Sequence, residues 1–327
     1  MAWHGVGGLD MVRGPASSAI AAPARLLVVV LNYNGIADTL ACLASLRAQT
    51  VPASVLVIDN ASRADDFSPI AADFPDVEIV RLDQNLGWAG GNNVGLRLGL
   101  ARGFDQICLL NNDTVLAPDA LAELLAAADA VGAPCLLHPT IHDFADSSHP
   151  QLDPGPVPAN PAPAARALAA RHEVVEIDWA YGACLLVPAA LARRELLDER
   201  FFLQLEEQDY FHRAAKLGMR SYCARRARVL HKESVSFGGR TTPSKTYYQV
   251  RNTLLLAEKH HSPAAAWTGL RRLLWALRHQ ASAVQPRAAS GLGFARFMLS
   301  ADPLARAARQ GVRDYFLRRF GQRRVAP

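Results

Sequence analysis

The sequence predicts an α/β fold, a mostly parallel central sheet flanked by helices, with further helices at the C-terminus. Three observations predict it. Short apolar runs rich in leucine and β-branched residues alternate with segments of helical period, and each early run ends in asparagine or aspartate. Repeated strand, helix, strand order favours parallel pairing with both sheet faces covered. A chain of 327 residues with 50% hydrophobic and only 20% charged content can bury one large core or two modest ones.

Residues 1–24, rich in Gly, Ala and Pro, read as a flexible tail without a secretory apolar core. Arg25 to Leu31 is a buried strand that opens into Asn32, Tyr33, Asn34 and Gly35. A helix is expected over Asp38 to Gln49, with Leu40, Leu43 and Leu46 on one face and Asp38 capping or complementing its start. Val55 to Ile58 is the second strand, ending in Asp59 and Asn60, and Val77 to Val80 the third. The segment Asn85 to Gly95 reads as a glycine-rich connection, with a short helix following to about Ala101. Its glycines permit tight backbone, its N–H groups could receive a diphosphate, and Asn92 and Asn93 could cap the helix. A purely structural connection is the competing reading, and Trp88 suits a core or a ligand wall equally. The fourth strand, Gln106 to Leu110, ends in Asn111, Asn112 and Asp113, and Pro118 suits the first turn of the next helix.

Between His138 and Ala165 seven prolines accumulate without periodicity, which predicts a surface insertion or acceptor-side loop. His138, His142 and His149 fall there, too irregularly spaced for zinc. Strands are expected at Val174 to Trp179, at Tyr181 to Val187 and, shorter, at Ala227 to Leu230, completing the same sheet. Phe201, Phe202, Leu203 and Leu205 lead into Glu206 and Glu207, and a helix follows to Gly218 in which Asp209 and Arg213 can pair. For Glu207, a helix start favours the anion while burial raises basicity. His231 stands at another apolar-to-polar boundary, as a ligand or a hydrogen-bonded structural histidine.

Ligands of parallel sheets sit at the carboxyl edge of the strands, where Asn32, Asp59 and Asp113 converge by this reading. A hard divalent cation wants carboxylate oxygens and a transfer reaction needs a separate base, so Asp113, His231 and the acidic cluster predict a metal-assisted transfer site. Charge is uneven: residues 263–327 hold twelve arginines against Asp302 and Asp314, a net +10, which leaves −5 for residues 1–262. Trp267, Leu270, Leu273, Leu274 and Leu277 recur at helical spacing beside Arg271, Arg272 and Arg278, so this basic amphipathic tail could lie on an anionic membrane or dock on the protein. The acidic body and the lack of a recognition module argue against nucleic acid. Scattered cysteines and the absence of an apolar run of membrane-spanning length favour a cytoplasmic protein, peripheral at the inner face of the cell membrane through its tail. Nothing sets an oligomeric state.

VVVLNYNG, SVLVIDNAS, NLGWAGGNN, ICLLNNDT, YGACLLV, ERFFLQLEEQDYFHRAAKLG, VLHKES and YYQVRN occur in an order that resembles the family 2 glycosyltransferases, particularly their bacterial rhamnosyltransferase-like branch, over Leu26 to Lys259. The resemblance implies a GT-A fold, the nucleotide-diphospho-sugar transferase fold, over 25–262, with a nucleotide-sugar half (25–135) and an acceptor and catalytic half (136–262). It implies a nucleoside diphosphate sugar as donor, dTDP-rhamnose or a UDP-sugar, with Mg2+ or Mn2+. A glycan or lipid-linked saccharide of the cell envelope would be the acceptor. Asn32 and Asp59 would lie by the nucleoside and Asp113 would carry the metal role. His231 would approach metal or diphosphate, and Asn85, Gly90, Asn93 and Asn112 would complete the donor contacts. The family's E-D-x-D stretch is matched by Glu206, Glu207 and Asp209, with Glu207 in place of Asp as the base. Asn112 replaces a frequent proline. The alternatives are a nucleotidyltransferase of similar fold and a non-enzymatic carbohydrate or lipid-surface scaffold.

Overall fold

The computed structural model describes residues 11–12, 26–63, 66–148, 150–152, 163–177, 182–232, 242–260, 271, 273–275, 277–279 and 290–323. In chain order the elements begin β1 (Met11–Val12), β2 (Leu26–Asn32), α1 (Ile36–Arg47), β3 (Ser54–Asp59), α2 (Ser68–Asp73), β4 (Glu78–Arg81), α3 (Gly87–Ala101), β5 (Gln106–Asn111) and β6 (Thr114–Leu116). They continue α4 (Ala120–Val131), β7 (Leu136–Asp143), β8 (Pro150–Leu152), α5 (Pro163–His172), β9 (Val174–Ile177), β10 (Cys184–Pro188), α6 (Ala189–Ala192), α7 (Glu206–Lys216) and β11 (Ser221–His231). Three helices follow: α8 (Pro243–His260), α9 (Gly291–Leu299) and α10 (Pro303–Phe316).

Two compact units are present. One comprises Met1–Leu197 with Tyr210–Ser236; the other comprises Asp198–Asp209 with Phe237–Pro327. The first carries one sheet in the order β1-β4-β3-β2-β5-β10-β7-β11-β6, with β8 on β7 and β9 on β11. β4, β3, β2 and β5 are parallel, as expected. Beyond β5 the sheet is mixed: β10 runs antiparallel to β5, β11 parallel to β7, and β6 and β9 antiparallel to β11. The expectation of a mostly parallel sheet therefore holds only for the first half. The Met11–Val12 strand, inside the stretch expected to be a loose tail, pairs antiparallel with Ile79 and Val80 of β4.

Every residue of β2 is buried, because alternate side chains enter different cores. Leu26, Val28 and Val30 pack with Cys42, Leu43 and Leu46 of α1 and with Leu121 and Leu124 of α4. Leu27, Val29 and Leu31 pack with Leu96 of α3 and with Tyr210, Phe211 and Ala214 of α7. The glycine-rich segment is where the sequence reading fails. It is helix from Gly87 onward, and its glycines serve close packing. A Cβ on Gly91 would meet Leu31 Cδ1 at 2.5 Å, one on Gly95 would meet Val29 Cγ1 at 2.4 Å, and one on Gly99 would meet Ile107 Cδ1 at 2.8 Å. Three glycines four apart lay the α3 backbone directly on the sheet, a tertiary demand that overrides their poor helix propensity.

Other local expectations are also corrected. His138 and His142 are residues of β7, His138 fully buried, and not part of a surface insertion. His149 and Asp178 to Tyr181 lie outside the described residues. Asp38 does not cap α1, whose N-cap is Gly35 without a side-chain hydrogen bond, but it is the acid of the first turn, as expected for complementing the helix start, and it pairs with Lys232 Nζ at 2.5 Å. Pro118 precedes the N-cap of α4, Asp119. All five cysteines are reduced and buried. In the second unit Leu273 and Leu277 are buried against Val250 of α8 and Ala308 of α10, so these two residues of the tail's apolar stripe dock on protein, while Leu274 is 40% exposed. Trp267, Leu270 and Arg272 fall outside the described residues. No helix among the described residues is long and apolar enough to cross a membrane.

Candidate active site

Strand register assembles the first group of polar residues. Asn32 pairs in register with Asp59, and Asp59 with Arg81, so three parallel strands end level with one another. Asp59 is 1% exposed. Its Oδ1 accepts from the Ser62 N–H at 3.1 Å and from Asn32 Nδ2 at 3.4 Å, and its Oδ2 accepts from Arg81 Nε at 3.1 Å. Arg81 lies over the Phe67 ring. These donors satisfy the buried carboxylate, and the half-exposed guanidinium of Arg81 reaches toward solvent.

Asn32 is fully buried, and its Oδ1 accepts from Thr39 Oγ1 at 2.9 Å and from Asn112 Nδ2 at 3.1 Å. Asn112 Nδ2 also reaches Gly35 O and Thr39 Oγ1. A Cβ on Gly35 would lie 2.6 Å from that nitrogen, which is why glycine follows the strand. The amide nitrogen of Asn112, expected among the donor contacts, thus ties the end of β5 to the start of α1. Asn85 and Asn93 are likewise engaged by protein. Asn85 Oδ1 accepts from Asn60 Nδ2 and the Gly87 N–H, while Asn93 exchanges two hydrogen bonds of 2.9 Å with the Leu197 backbone. Gly90 is buried in α3, with Leu86 Cβ 2.6 Å from where its own Cβ would stand. These contacts give Asn85, Gly90 and Asn93 packing roles. The segment expected to receive a diphosphate is the start of a sheet-packed helix.

The turn between β5 and β6 holds the second group. Trp88 Nε1 donates to Asn111 Oδ1 at 2.7 Å and anchors the strand end. Thr114 pairs with His231 across β6 and β11, and the Lys232 N–H donates to Asp113 O at 3.0 Å, so the ladder carries His231 to Asp113. His231 Nε2 stands 3.3 Å from Asp113 Oδ1, both side chains almost fully buried. Gln151 of β8 fixes the imidazole. Its Nε2 donates to His231 O at 2.8 Å, which leaves its Oε1, 2.9 Å from His231 Nδ1, as the acceptor of the Nδ1 proton. Nε2 is then turned toward Asp113. Among the described residues no group of three or more His, Cys, Asp or Glu is placed to hold a metal. One carboxylate and one imidazole nevertheless suit Mg2+ or Mn2+ in a nucleotide site, where phosphate oxygens and water complete the coordination.

The second unit holds the acidic cluster. Phe202, Gln204 and Leu205 adopt positive φ of 62°, 71° and 71° just before α7. This unusual turn is clamped by α8. Arg251, fully buried, donates through Nη2 to the Arg200 and Phe201 carbonyls, and Asn252 Nδ2 reaches the carbonyls of Phe201, Leu203 and Gln204 at 2.7 to 2.9 Å. YYQVRN therefore presents α7. Asp209 Oδ1 lies 2.5 Å from Lys259 Nζ and 2.7 Å from His260 Nε2, with Lys259 also 2.5 Å from Asp198. Arg213, expected to pair with Asp209, finds Glu195 at 2.6 Å. Glu206 is 4% exposed, and its Oε2 has no hydrogen-bond partner among the described residues. Burial, then the neighbouring Glu207 charge, holds the Glu206 carboxyl well above its ordinary range. Glu207 retains some exposed area, yet desolvation by surrounding protein pushes its carboxyl from 4.5 up to about 7. Desolvation outweighs the helix start, the competition that sequence alone left open.

The sequence reading missed Arg81, Gln151, Arg251 and Asn252. YYQVRN was visible as a motif without a role, and Gln151 was hidden in the proline-rich stretch.

Known proteins agree with this architecture. Residues 27–167 match the model of Glycosyl transferase family 2. The N-acetylglucosaminyl-diphospho-decaprenol L-rhamnosyltransferase of Mycobacterium tuberculosis (strain ATCC 25618 / H37Rv) is 29% identical over 266 residues, 72% of this chain and 85% of the relative. Among solved structures, the mannosyltransferase PcManGT from Pyrobaculum calidifontis, in complex with GDP-Man and Mn2+, superposes with a TM-score of 0.53 at 16% identity. The match covers 95% of this chain and 91% of that one. GalNAc-T7 with UDP, GalNAc and Mn2+ gives a TM-score of 0.54 at 15% identity over 71% of this chain, which spans only 48% of the larger protein. Residues 27–167 thus resemble a glycosyltransferase family 2 domain, and the chain has a GT-A-like α/β fold whose central sheet is of mixed strand direction.

Proposed function

We propose that the protein is an inverting, metal-dependent glycosyltransferase that moves a sugar, rhamnose, from a nucleoside diphosphate sugar to a hydroxyl of a cell-envelope glycan or lipid-linked saccharide. The observation that carries this reading is the buried Asp113–His231 pair at the end of β5, with Nε2 turned to the carboxylate by Gln151. The rhamnosyl donor and lipid-linked acceptor follow the name of the mycobacterial relative. Mn2+ accompanies the nucleotide in both solved structures.

In this reading Asp113 and His231 hold the cation and Asp59, with Arg81, faces the nucleoside. A bound divalent ion supplies charge neutralisation to the diphosphate leaving group. Glu207 takes the proton of the acceptor hydroxyl; the freed oxygen bonds to the anomeric carbon as the carbon–oxygen bond to diphosphate breaks on the opposite face. One such displacement inverts the anomeric configuration and needs no nucleophilic side chain. Glu207 suits the task because its carboxyl titrates near 7. Asp209, held by Lys259 and His260, is a positioning residue.

The arginine-rich C-terminal region would bring the enzyme to the anionic inner face of the cell membrane as a peripheral protein. Trp275, Leu292, Leu299, Phe316 and Leu317 are exposed apolar residues there, 53% to 81% accessible, among its arginines. The test of the reaction is product analysis with UDP-, GDP- and dTDP-sugars. Free nucleoside diphosphate together with a glycosylated acceptor is expected. Pyrophosphate release would instead establish nucleotidyl transfer, and no turnover of any donor would leave a non-enzymatic scaffold.

A further inference from the structure

β11 changes neighbours halfway along its length. Ser221 to Ala224 pair with β9 on one side, whereas Val229 to His231 pair with β6 on that side, and β7 lines the other side throughout. The register with β7 jumps from Ala224 opposite Pro139 to Arg228 opposite Thr140, so three residues of β11 have no opposite number. They form a bulge, closed by Thr140 Oγ1 donating to Arg225 O at 3.2 Å. Ala227 points into the core, and Arg225, Arg226 and Arg228 are left outside it.

These three arginines line an open cleft of about 480 Å³ together with Thr140, His142 and Glu173. Among the described lining residues the only acid is Glu173, which meets Arg226 Nε at 3.4 Å with both side chains about half exposed. Arg228 has no hydrogen-bond or ion-pair partner for its guanidinium among the described residues. His142 is 8% exposed, and its Nδ1 is buried without a partner. Burial, then the nearby Arg228 charge, depresses the imidazole pKa, opposed by a backbone hydrogen bond with Ser147. Arg226 and Arg228 have one lining carboxylate between them, next to a buried polar nitrogen without a hydrogen-bond partner among the described residues, which makes the cleft attractive to an anion. Planar guanidinium forks match tetrahedral oxyanions, and the volume lies in the range of small-ligand pockets.

We propose that this cleft is a binding site for phosphate groups, separate from the donor crevice, of a size for a diphosphate. Arg228 lies three residues before His231 on the same strand, about 10 Å at roughly 3.3 Å per residue. The site uses no residue assigned to donor, metal or base, so it stands or falls independently of the transfer reaction. Its diphosphate could be that of a lipid-linked saccharide or a free inorganic anion.

The experiment is calorimetric titration of the full chain, in EDTA to silence the metal-dependent crevice, with inorganic pyrophosphate and with geranyl diphosphate. Arg226→Gln with Arg228→Gln should weaken binding at least tenfold. Glu173→Gln, which removes the competing carboxylate, should tighten it severalfold. Unfolding temperature checks that these exposed positions leave the fold intact. Tighter binding of geranyl diphosphate than of pyrophosphate identifies a lipid-linked source, and equal binding a free anion; both support the site. Undiminished binding in the double variant, or no binding to the wild type at millimolar pyrophosphate, overturns the proposal.

Discussion

Replacing Glu207 tests the chemistry most directly. Its carboxyl titrates at about 7 where an ordinary glutamate titrates at 4.5, because protein desolvates it. A base must be unprotonated to act. With a pKa near 7, about a tenth of the enzyme is competent at pH 6 and about nine tenths at pH 8, so the chemical step should rise roughly tenfold between them. A base with an ordinary carboxyl would change by less than about 5% over that interval. Glu207→Gln should keep donor affinity, lower transfer by at least about a hundredfold, close to 2.7 kcal/mol of barrier, and abolish the pH limb. Glu206→Gln is the informative control. Burial and the Glu207 charge hold the Glu206 carboxyl well above its ordinary range, and an amide mimics the neutral form these forces favour, so that variant should retain the limb. The assay is single-turnover nucleoside diphosphate release with saturating donor and acceptor across pH 5.5–8.5. A flat profile, or near-normal turnover by Glu207→Gln beside a severe loss in Asp209→Asn, would refute the assignment.

Chelation should abolish transfer and added Mg2+ or Mn2+ should restore it, with Asp113→Asn raising the metal concentration needed; full transfer in rigorously metal-free protein defeats the metal role of Asp113 and His231. Asp59→Ala strands Arg81, Asn32 and the Ser62 N–H, so it should cost about 1–3 kcal/mol in denaturant melts. Donor titration below its melting point should also show weakened binding, and unchanged affinity would return Asp59 to a purely structural role. Gly95→Ala gains about 1 kcal/mol of helix propensity but drives a methyl to 2.4 Å from Val29, at about 1–3 kcal/mol of overpacking, so a net loss of stability is expected in thermal melts. Co-sedimentation should rise with anionic lipid and fall with salt, and neutralising Arg271, Arg272 and Arg278 should weaken it; salt-insensitive or absent binding would confine the C-terminal region to packing.

The sequence by itself determined the strands of the parallel half, the polar residues at their ends and the acidic start of α7. Each is a local signal: the buried run of β2 and the helical period of α4 are legible within about ten residues. Tertiary structure alone decided what those polar groups meet. Asn93 binds the Leu197 backbone 104 residues away, Gln151 fixes His231 from 80 residues away, and Asp38 pairs with Lys232 across 194. It also decided that NLGWAGGNN is a helix, since its glycines answer to Leu31 and Val29 and to no feature of their own segment. Burial period is written into the chain at short range. Hydrogen-bond partners and close approaches depend on which distant strand the topology brings alongside, and that is set only when the sheet is assembled.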